Sequence, residues 1–233
     1  MDKMNSTTTE IKENEFLKNL PQKQYDDIIQ SGIQKILKPK SILFRQGEAA
    51  NRCYLIKKGH LKLTKLSEQG KEVIIRYLSD GELTAAVAVL NNKEYPLTAE
   101  SIETTEVIGW DKSTLIRMMK NMPDIAINAL SVVLERLDNV QNRYMELCTQ
   151  RVEQRVARTL LRLIKTSGLK TSGGICIDIP LSRQNIADYT GATVFTVSRI
   201  LSSWEKLGWI KSEREKITIV DAHALVIFAD KIE

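Results

Sequence analysis

The sequence is poor in cysteine and histidine, and this excludes several kinds of functional site. Its 233 residues include three cysteines, Cys53, Cys148 and Cys176, and two histidines, His60 and His223. The cysteines are too few and too far apart for a disulfide framework or a Cys-x-x-Cys pair, so we expect reduced thiols. The sequence has no Ser-His-Asp set, no spacing typical of metal ligands and no phosphate-binding loop. We therefore expect neither catalysis nor a bound metal ion.

Long hydrophobic segments are also absent. No run of about 18 apolar residues is present to cross a bilayer, and the polar start MDKMNSTTTEIKENE is unlike a signal peptide. With 42% hydrophobic and 27% charged residues, the composition is typical of a soluble globular protein of one or two domains. We expect a cytoplasmic protein without a membrane partner.

Positive charge is concentrated in the last third of the chain. Residues 151–233 contain 13 Lys and Arg against 9 Asp and Glu, which accounts for four of the five net positive charges. Such a surplus favours an anionic partner such as nucleic acid, although solvated protein surfaces are often rich in lysine as well. Composition alone leaves both interpretations open.

Residues 35–111 show a pattern of short β-strands. Leu61 and Leu63 alternate with polar neighbours, as a half-buried strand requires. Strands at this even spacing predict an antiparallel barrel or jelly roll, which continues through residues 95–111. Before it, Pro21 stands at the start of short helical turns. The β-rich runs are residues 41–44, 54–56, 61–66 and 73–78, punctuated by Gly47, Gly59, Gly70 and Gly81.

A helical segment follows, with a seven-residue repeat of apolar side chains. Residues 122–165 contain no glycine and one proline, Pro123. A stripe with this repeat is buried either against the same chain, as in a long core helix, or against a second copy. Leu134 is the only residue that widens the stripe, so the stripe is narrow enough for a contact between two helices. We therefore favour the second copy and assign residues 122–148 to a dimer helix. The repeat consists of Leu130, Leu137 and Tyr144 at one position and Val133, Val140 and Leu147 at the other.

The remaining residues predict a helix-turn-helix with a wing. A helix over residues 151–165 leads through TSGLKTSGG, which we expect to be a flexible connection, to a strand, two helices and a two-stranded wing. Ser182 and Thr193 stand where they can cap the two helices, and Gly191 suits the tight turn between them. Gly208 ends the second helix.

The last of these helices has two faces. One is an apolar stripe at helical spacing, formed by Val197, Ile200, Leu201, Trp204 and Leu207. In a helix-turn-helix the second helix lies in the major groove of DNA, where an arginine bonds bidentately to guanine. We therefore assign base reading to the opposite face, which consists of Val194, Phe195, Ser198, Arg199 and Ser202. Phosphate contacts are assigned to Ser182, Arg183, Gln184, Thr193 and Thr196.

Two other functions fit parts of the pattern. A small winged bundle can bind another protein, and a jelly roll can bind a ligand in a sensory or scaffold protein that does not regulate transcription. The helix cap, the tight turn, the basic Arg183 and Arg199 and the wing occur together in one segment. This combination favours DNA binding over both alternatives.

Five segments stand in a characteristic order along the chain. They are GEAANRCYLIKKGHLKL at 47–63, DGEL at 80–83, YPLTAESIETTEV at 95–107, RVARTLL at 155–161 and TVFTVSRIL at 193–201. Their order and spacing resemble the CRP/FNR superfamily of bacterial transcription regulators, beginning near residue 12. The resemblance implies an α+β chain that binds palindromic double-stranded DNA as a homodimer and senses a small effector. It implies a jelly roll similar to cyclic-nucleotide-binding domains (1–121), a dimerisation helix (122–148) and a winged helix-turn-helix (149–233).

Departures from the family pattern bear on the effector. Members that bind cyclic AMP have an Arg-Ser pair after the Gly-Glu-Leu of the ligand loop. This chain has Tyr95-Pro96-Leu97-Thr98 there, without a cation for the cyclic phosphate. Members that sense oxygen bind an iron–sulfur cluster through N-terminal cysteines, and none precedes Cys53. We therefore expect neither cyclic AMP nor an iron–sulfur cluster.

Haem and RNA polymerase stay open as further partners. Haem-dependent members form another branch, and LTAAVAVL at 83–90 has the apolar character of a haem pocket, although a lone His60 on a strand turn is more often a surface residue than an axial ligand. The alternative is an unidentified small molecule, for which we assign Glu82, Tyr95 and Thr98 to the pocket. Residues 166–174 correspond to a polymerase-contacting loop in the family's founding member, but their composition is too generic to carry that contact over.

Phe195 departs from the family on the reading face. Many members have a glutamate at this position that accepts a hydrogen bond from cytosine N4, while the arginine four residues later reads guanine. Phenylalanine cannot accept that bond, but it can contact a thymine methyl group. We therefore expect Arg199 to keep its guanine and the base pair facing Phe195 to shift toward A·T. The alternative is a phenylalanine packed within the domain, but its position opposite Trp204 argues against it.

Overall fold

A computed structural model describes residues 14–230, so most of the polar start of the chain lies outside the described residues. The N-terminal part combines eight short strands with three helices. These elements are α1 (Gln22–Ser31), β1 (Ile33–Leu37), β2 (Ile42–Phe44), β3 (Arg52–Lys58), β4 (Leu61–Leu66), β5 (Glu72–Leu78), β6 (Leu83–Thr84), α2 (Ala86–Leu90), β7 (Thr98–Ser101), β8 (Thr105–Asp111) and α3 (Lys112–Asn121).

The eight strands form two antiparallel sheets, which confirms the predicted jelly roll. The strand orders are β1-β8-β3-β6 and β2-β7-β4-β5. Leu61 and Leu63 of β4 are buried, as their alternation predicts. The helix α1 covers one side of this core, where the buried Trp110 donates its indole N–H to the carbonyl oxygen of Ile28 at 3.1 Å.

Strand β3 is longer than its apolar residues predict. The sequence indicates a strand over residues 54–56, but pairing with β8 extends it to Arg52 and Lys58. These two cations lie opposite Asp111 and Glu106 in the ladder. Opposite charges on paired strands stabilise a sheet, and the ion pair near the C-terminal end of β3 joins Lys57 to Glu106 at 3.3 Å.

Two helices connect the N-terminal and C-terminal parts. The first, α4 (Pro123–Thr149), has 27 residues and begins with proline at its first turn, where the missing N–H costs no hydrogen bond. The second, α5 (Val152–Ser167), follows after two residues with extended backbone. Both helices lie close to the ranges that the sequence predicts.

The C-terminal part contains two helices of a helix-turn-helix, a four-stranded sheet and a final helix. Its sheet order is β11-β12-β10-β9, in which β11 and β12 form the predicted wing. In residues 14–230, no helix is long and apolar enough to cross a membrane. The elements are β9 (Gly168–Thr171), β10 (Gly174–Ile177), α6 (Arg183–Thr190), α7 (Val194–Lys206), β11 (Ile210–Glu213), β12 (Lys216–Ile219) and α8 (Ala222–Asp230).

The prediction of a flexible connection at residues 166–174 is wrong. These residues complete α5 and form β9, which pairs with β10 through a hairpin whose two loop residues are Ser172 and Gly173. The backbone reverses within the two loop residues, which favours glycine and serine. Gly174, at the start of β10, has a φ of 129°, a conformation that favours glycine. The final helix α8 was not predicted; it packs its Leu225 and Ala229 into the core of the C-terminal part.

Candidate functional site

The two helices of the helix-turn-helix meet at a tight turn. Ser182 caps α6, because its Oγ accepts the backbone N–H of Asn185 at 3.1 Å while Asn185 Oδ1 accepts the N–H of Ser182 at 2.9 Å. Thr193 caps α7 by accepting the N–H of Thr196 at 3.2 Å. Gly191, between the helices, has a φ of 66°, the left-handed conformation that favours glycine. Both predicted caps and the predicted turn are confirmed.

One side of α7 is buried in the core of the C-terminal part. Trp204 on this side lies edge to face against Phe228 of α8, with ring centroids 5.7 Å apart. Leu207 is more than half exposed because it is the C-cap residue after the last helical turn, so its assignment to the buried stripe is wrong. The other four predicted residues are buried, namely Val197, Ile200, Leu201 and Trp204.

The opposite side of α7 is open to solvent. Phe195 is 89% exposed, Arg199 is exposed, and Ser198 and Ser202 are half-buried. Their spacing places these four side chains along one ridge of the helix. Val194, by contrast, packs partly against the core. The ridge offers one aromatic ring, one guanidinium and two hydroxyls, which can contact methyl groups and hydrogen-bond base edges.

The predicted phosphate contacts lie near the N-termini of α6 and α7, where unpaired backbone N–H groups also favour anions. Arg183 is exposed at the first turn of α6. Gln184 donates its side-chain N–H to the carboxylate of Asp188 at 2.9 Å. The hydroxyls of Thr193 and Thr196 are 2.9 Å apart. Since one of them donates to the other, the acceptor's own O–H can still donate to a phosphate.

The long helix α4 turns its hydrophobic stripe to solvent and its polar side to its own chain. Asn128 donates to the carbonyl oxygens of Phe16 and Lys18, and the buried Glu146 accepts two bonds from Arg162, the shorter at 2.7 Å. In an ordinary core helix the apolar stripe is buried and the polar side faces solvent, so α4 has the opposite orientation. Six predicted residues of the stripe are between 38% and 66% exposed: Leu130, Val133, Leu137, Val140, Tyr144 and Leu147.

A cavity of about 90 Å³ lies between the jelly roll and α4. Glu82 lines it and is held by the guanidinium of Arg76 and by the backbone N–H of Ser79 at 2.8 Å. Arg136 of α4 donates to the carbonyl oxygen of Leu83, while its buried Nε has no hydrogen-bond partner among residues 14–230. The lining residues are Glu15, Phe16, Arg76, Asp80, Gly81, Glu82, Leu83, Val132, Glu135, Arg136 and Asn139.

Two arginines, Arg76 and Arg136, line this cavity, and the sequence did not single them out. Burial lowers the pKa of Arg136 to about 10, with the nearby charge of Arg76 acting in the same direction. Arg136 stands seven residues before Arg143 on α4, so a polar repeat opposite the apolar stripe was available as a sequence pattern. Arg76 lies in a strand whose register only the fold defines.

One of the three residues assigned to an effector pocket, Glu82, lines this cavity. Tyr95, by contrast, is buried in the jelly-roll core, where its ring stacks on Phe44 with centroids 4.1 Å apart. The Tyr95 hydroxyl donates to the carbonyl oxygen of Arg52 at 2.8 Å. Thr98 accepts the backbone N–H of Gln46 at 3.0 Å. Tyr95 and Thr98 therefore have structural partners of their own and do not line this cavity, and their assignment to an effector pocket stays a prediction.

The cavity is a poor fit for haem. His60 lies outside its lining and holds the carboxylate of Glu103 at 2.6 Å from Nδ1. The lining is rich in charge, whereas a haem pocket needs an apolar wall and an axial ligand. Cys53 is buried, which raises the pKa of its thiol to about 12. Within residues 14–230, no group of three or more His, Cys, Asp or Glu side chains is placed to hold a metal ion.

Two family models match successive parts of the chain. Residues 34–122 match the cyclic nucleotide-binding domain, and residues 154–227 match the Crp-like helix-turn-helix domain. The first match covers the jelly roll and the second covers the caps, the turn and the wing described above. The helix α4 lies wholly between them.

Curated proteins and solved structures agree with these matches. The anaerobic regulatory protein of Haemophilus influenzae is 28% identical over 87% of this chain and 78% of its own length. A CRP-like cAMP-activated global transcriptional regulator of Mycobacterium tuberculosis is 25% identical over 78% of this chain and 82% of its own length.

Among solved structures, a CRP-family transcriptional regulator of Thermus thermophilus is 26% identical, with a TM-score of 0.70 over 84% of this chain and 97% of its own. FixK2 of Bradyrhizobium japonicum, at 22% identity, shares the fold with a TM-score of 0.74 over 87% of this chain and 99% of its own. The order of the two matched domains, the fold and these relatives together identify the chain as a member of the CRP/FNR superfamily of DNA-binding transcription regulators.

Proposed function

We propose that the protein regulates transcription as a homodimer that reads a palindromic DNA site with two copies of α7. The observation that carries this proposal is the division of α7 into a buried stripe and an exposed ridge. A helix held by its own core and open on its polar side is built to enter a major groove. We also propose that the protein acts in the cytoplasm, where a bacterial regulator meets its DNA.

The exposed stripe of α4 supports a homodimer. Hydrophobic residues at two positions of a heptad form a self-complementary seam, which a second α4 related by a twofold axis covers. Polar contacts already occupy the other side of the helix, so the stripe has no partner within the described chain. A second copy therefore buries the stripe and gives the two α7 helices the twofold symmetry of a palindrome.

The exposed ridge supports base-specific reading. Arg199 can donate two hydrogen bonds to guanine O6 and N7, and Phe195 can pack on a thymine methyl group. Arg183 and the hydroxyls near the helix N-termini can fix the register by contacting phosphates. Because a protein that binds phosphates releases the cations condensed on DNA, we expect affinity to fall steeply as salt concentration rises.

We further propose that a small effector places one polar group in the cavity between the jelly roll and α4, which at about 90 Å³ has room for only part of such a molecule. The Nε of Arg136, which has no hydrogen-bond partner in the described part of the chain, can donate to an acidic or carbonyl group of that molecule. The segment Tyr95 to Thr98 supplies no cation for a cyclic phosphate, which supports an effector other than cyclic AMP. The carboxylates of Glu15, Asp80, Glu82 and Glu135 in the lining favour a ligand that also carries hydrogen-bond donors.

The direct test of this function is gel retardation with the variant Arg199→Ala. DNA fragments that the wild-type protein retards specifically should lose that preference, because a lost bidentate contact costs about 1–3 kcal/mol. Weak non-specific binding should remain. The control is Lys206→Ala, which removes a positive charge from the exposed end of the same helix and should change specific affinity little.

Other outcomes would point elsewhere. Unchanged specific affinity in Arg199→Ala would contradict the assignment of the reading face. If the wild-type protein retards no genomic fragment specifically, a ligand-binding sensory or scaffold function becomes the better account.

A further inference from the structure

The jelly roll contacts the helix-turn-helix directly, through strand β5. Ile74 and Tyr77 of this strand are buried in the hydrophobic core that contains α6 and α7. The ring of Tyr77 stacks on that of Tyr189 in α6, with centroids 6.2 Å apart and planes at 27°. The sensory part of the molecule therefore reaches the reading motif by a route additional to α4.

An irregularity in β5 makes this contact possible. Along β4, Leu63 pairs with Arg76 and the next residue, Thr64, pairs with Ile74, so Ile75 is an extra residue in the ladder. Such a bulge breaks the simple alternation of side chains. As a result, Ile74 and Tyr77 both reach the C-terminal core while Arg76 lines the cavity.

Arg143 of α4 joins these elements. One guanidinium nitrogen donates to the carbonyl oxygen of Ile75 at 2.8 Å, and another donates to the carbonyl oxygen of Tyr189 at 3.1 Å. The guanidinium also lies over the Tyr189 ring, 4.2 Å from its centroid. A single side chain thus connects the bulge of β5, the dimer helix and the C-terminal end of α6.

The C-terminal end of α6 is a favourable place for such a connection. The last carbonyl groups of a helix have no partner within it, and cations near them are stabilised by the helix dipole. Arg143 satisfies the carbonyl of Tyr189, and Arg155 of α5 donates to that of Thr190 at 3.2 Å. Arginines from α4 and α5 therefore fix the end of α6 that precedes the turn into α7.

This contact leaves the reading ridge uncovered. The jelly roll touches α6, whereas Phe195 and Arg199 on α7 are exposed. The arrangement therefore orients the helix-turn-helix without blocking it. In a twofold dimer, the orientation of each α7 decides whether both reach the major groove about 34–36 Å apart along the DNA.

We propose that Arg143 is a positioning residue for DNA recognition: by tying α6 to β5 and α4, it sets the separation and tilt of the two α7 helices. The proposal rests on the dimeric DNA binding proposed above. Because Arg76 of the same strand lines the cavity, β5 also connects the proposed effector site with the reading motif. The proposal assigns Arg143 no direct contact with DNA or effector.

The test measures how affinity depends on half-site spacing. A palindrome is first selected from random duplex DNA with full-length wild-type protein. Its half-sites are then moved apart or together in single base-pair steps, and a single half-site serves as a further probe. We expect wild type to show one sharp optimum. Arg143→Ala should lose about tenfold in affinity at that optimum, lose little on the single half-site and show a flatter dependence on spacing.

Three further variants separate positioning from general damage. Tyr189→Phe keeps the ring and the backbone carbonyl and should behave as wild type. Arg143→Lys keeps the charge but replaces the planar fork with one ammonium group, so its spacing profile should lie between wild type and Arg143→Ala. Arg117→Ala, at an exposed position on α3, controls for the loss of one positive charge.

Two results would overturn the proposal. One is an unchanged spacing profile in Arg143→Ala, and the other is an equal loss on the single half-site and the palindrome. If Arg143→Ala does not fold, an unaltered profile in Arg143→Lys is sufficient to refute it. Failure of the wild-type protein to select any palindrome would instead refute the proposed function, so the two failures are distinguishable.

Discussion

Phe195 lies on the exposed ridge of α7 but, unlike Ser198, Arg199 and Ser202, has no side-chain group that can hydrogen-bond to a base. Its ring is almost fully exposed, which excludes a role in the core. An exposed aromatic ring on a polar ridge needs an apolar partner, and the thymine methyl is the apolar group that the major groove offers. The sequence interpretation of Phe195 as an outward-facing residue is therefore confirmed, while its base preference stays a prediction.

Exchanging Phe195 for glutamate should change the base that this position prefers. Selection from random DNA with Phe195→Glu should shift the preferred pair from A·T toward C·G, because a carboxylate accepts a hydrogen bond from cytosine N4. The shift corresponds to about 1–3 kcal/mol of discrimination at that pair. Phe195→Leu, which keeps an apolar contact, should retain the A·T preference. Identical selected sequences for wild type and Phe195→Glu would show that Phe195 does not face a base.

We expect Tyr77 to make the stability of the contact between β5 and α6 depend on pH. Burial, then the nearby Tyr189 and Asp188, raise the pKa of its phenol above the ordinary value. An acid whose pKa is raised by folding stabilises the fold fully below the unfolded pKa, about 10, and this contribution is lost as pH rises above it. Urea denaturation should therefore show that wild type loses more stability than Tyr77→Phe between pH 8 and pH 11. Equal losses would mean that the phenol is solvated.

Local residue patterns predicted some site residues and not others. The caps at Ser182 and Thr193 depend on bonds to residues three positions away, so the sequence alone contains both partners. Membership of the cavity depends on strand register and on how α4 packs against the jelly roll. The sequence therefore did not single out Arg76, although it lies in a segment that was predicted to be a strand.

At the scale of elements, α4 combines two repeats of different chemistry. The apolar repeat faces solvent, and the polar side, with Arg136 and Arg143 seven residues apart, faces its own chain. The sequence predicted the stripe and the helix, but it left open which side would be buried. That choice depends on the hydrogen-bonding groups that the jelly roll and α6 present, such as the carbonyl of Ile75.

A charge in the apolar stripe should prevent formation of the proposed dimer. Leu137→Glu places a carboxylate in the seam, and burying two unpaired charges there costs more than the contact gains. Light scattering after size exclusion should give the mass of one chain for this variant and of two for wild type. Asn142→Glu, an exposed change on the same helix, should stay dimeric. A wild-type mass of one chain at micromolar concentration would contradict the proposed seam.

The elements that the sequence did not predict depend on tertiary contacts. Strand β9 forms because a two-residue turn brings it beside β10, and α8 is stabilised by packing its Leu225 against the C-terminal core. The residues around the bulge at Ile75 carry no sequence signal that predicts it, although the contact of β5 with α6 depends on it. Propensity describes such segments poorly because their neighbours in space are distant in sequence.

At the scale of the whole molecule, the jelly roll reaches the helix-turn-helix by two routes. One is the continuous path through α4 and α5, and the other is the contact of β5 with α6 that Arg143 ties together. Binding in the cavity shifts DNA affinity only as far as the ligand prefers one arrangement of these elements over another. Strand β5 contributes Arg76 to the cavity and Tyr77 to the contact with α6. A shift of this strand would therefore alter both places.

The most direct test of the central claim is the symmetry of the DNA that the wild-type protein selects. Sequencing of duplexes enriched from a random pool should give an inverted repeat, with half-site centres about 10–10.5 base pairs apart. The complex should contain two chains per duplex. A single unrepeated motif bound by one chain, or no enrichment over input, would contradict the account of a dimer that reads DNA with two copies of α7.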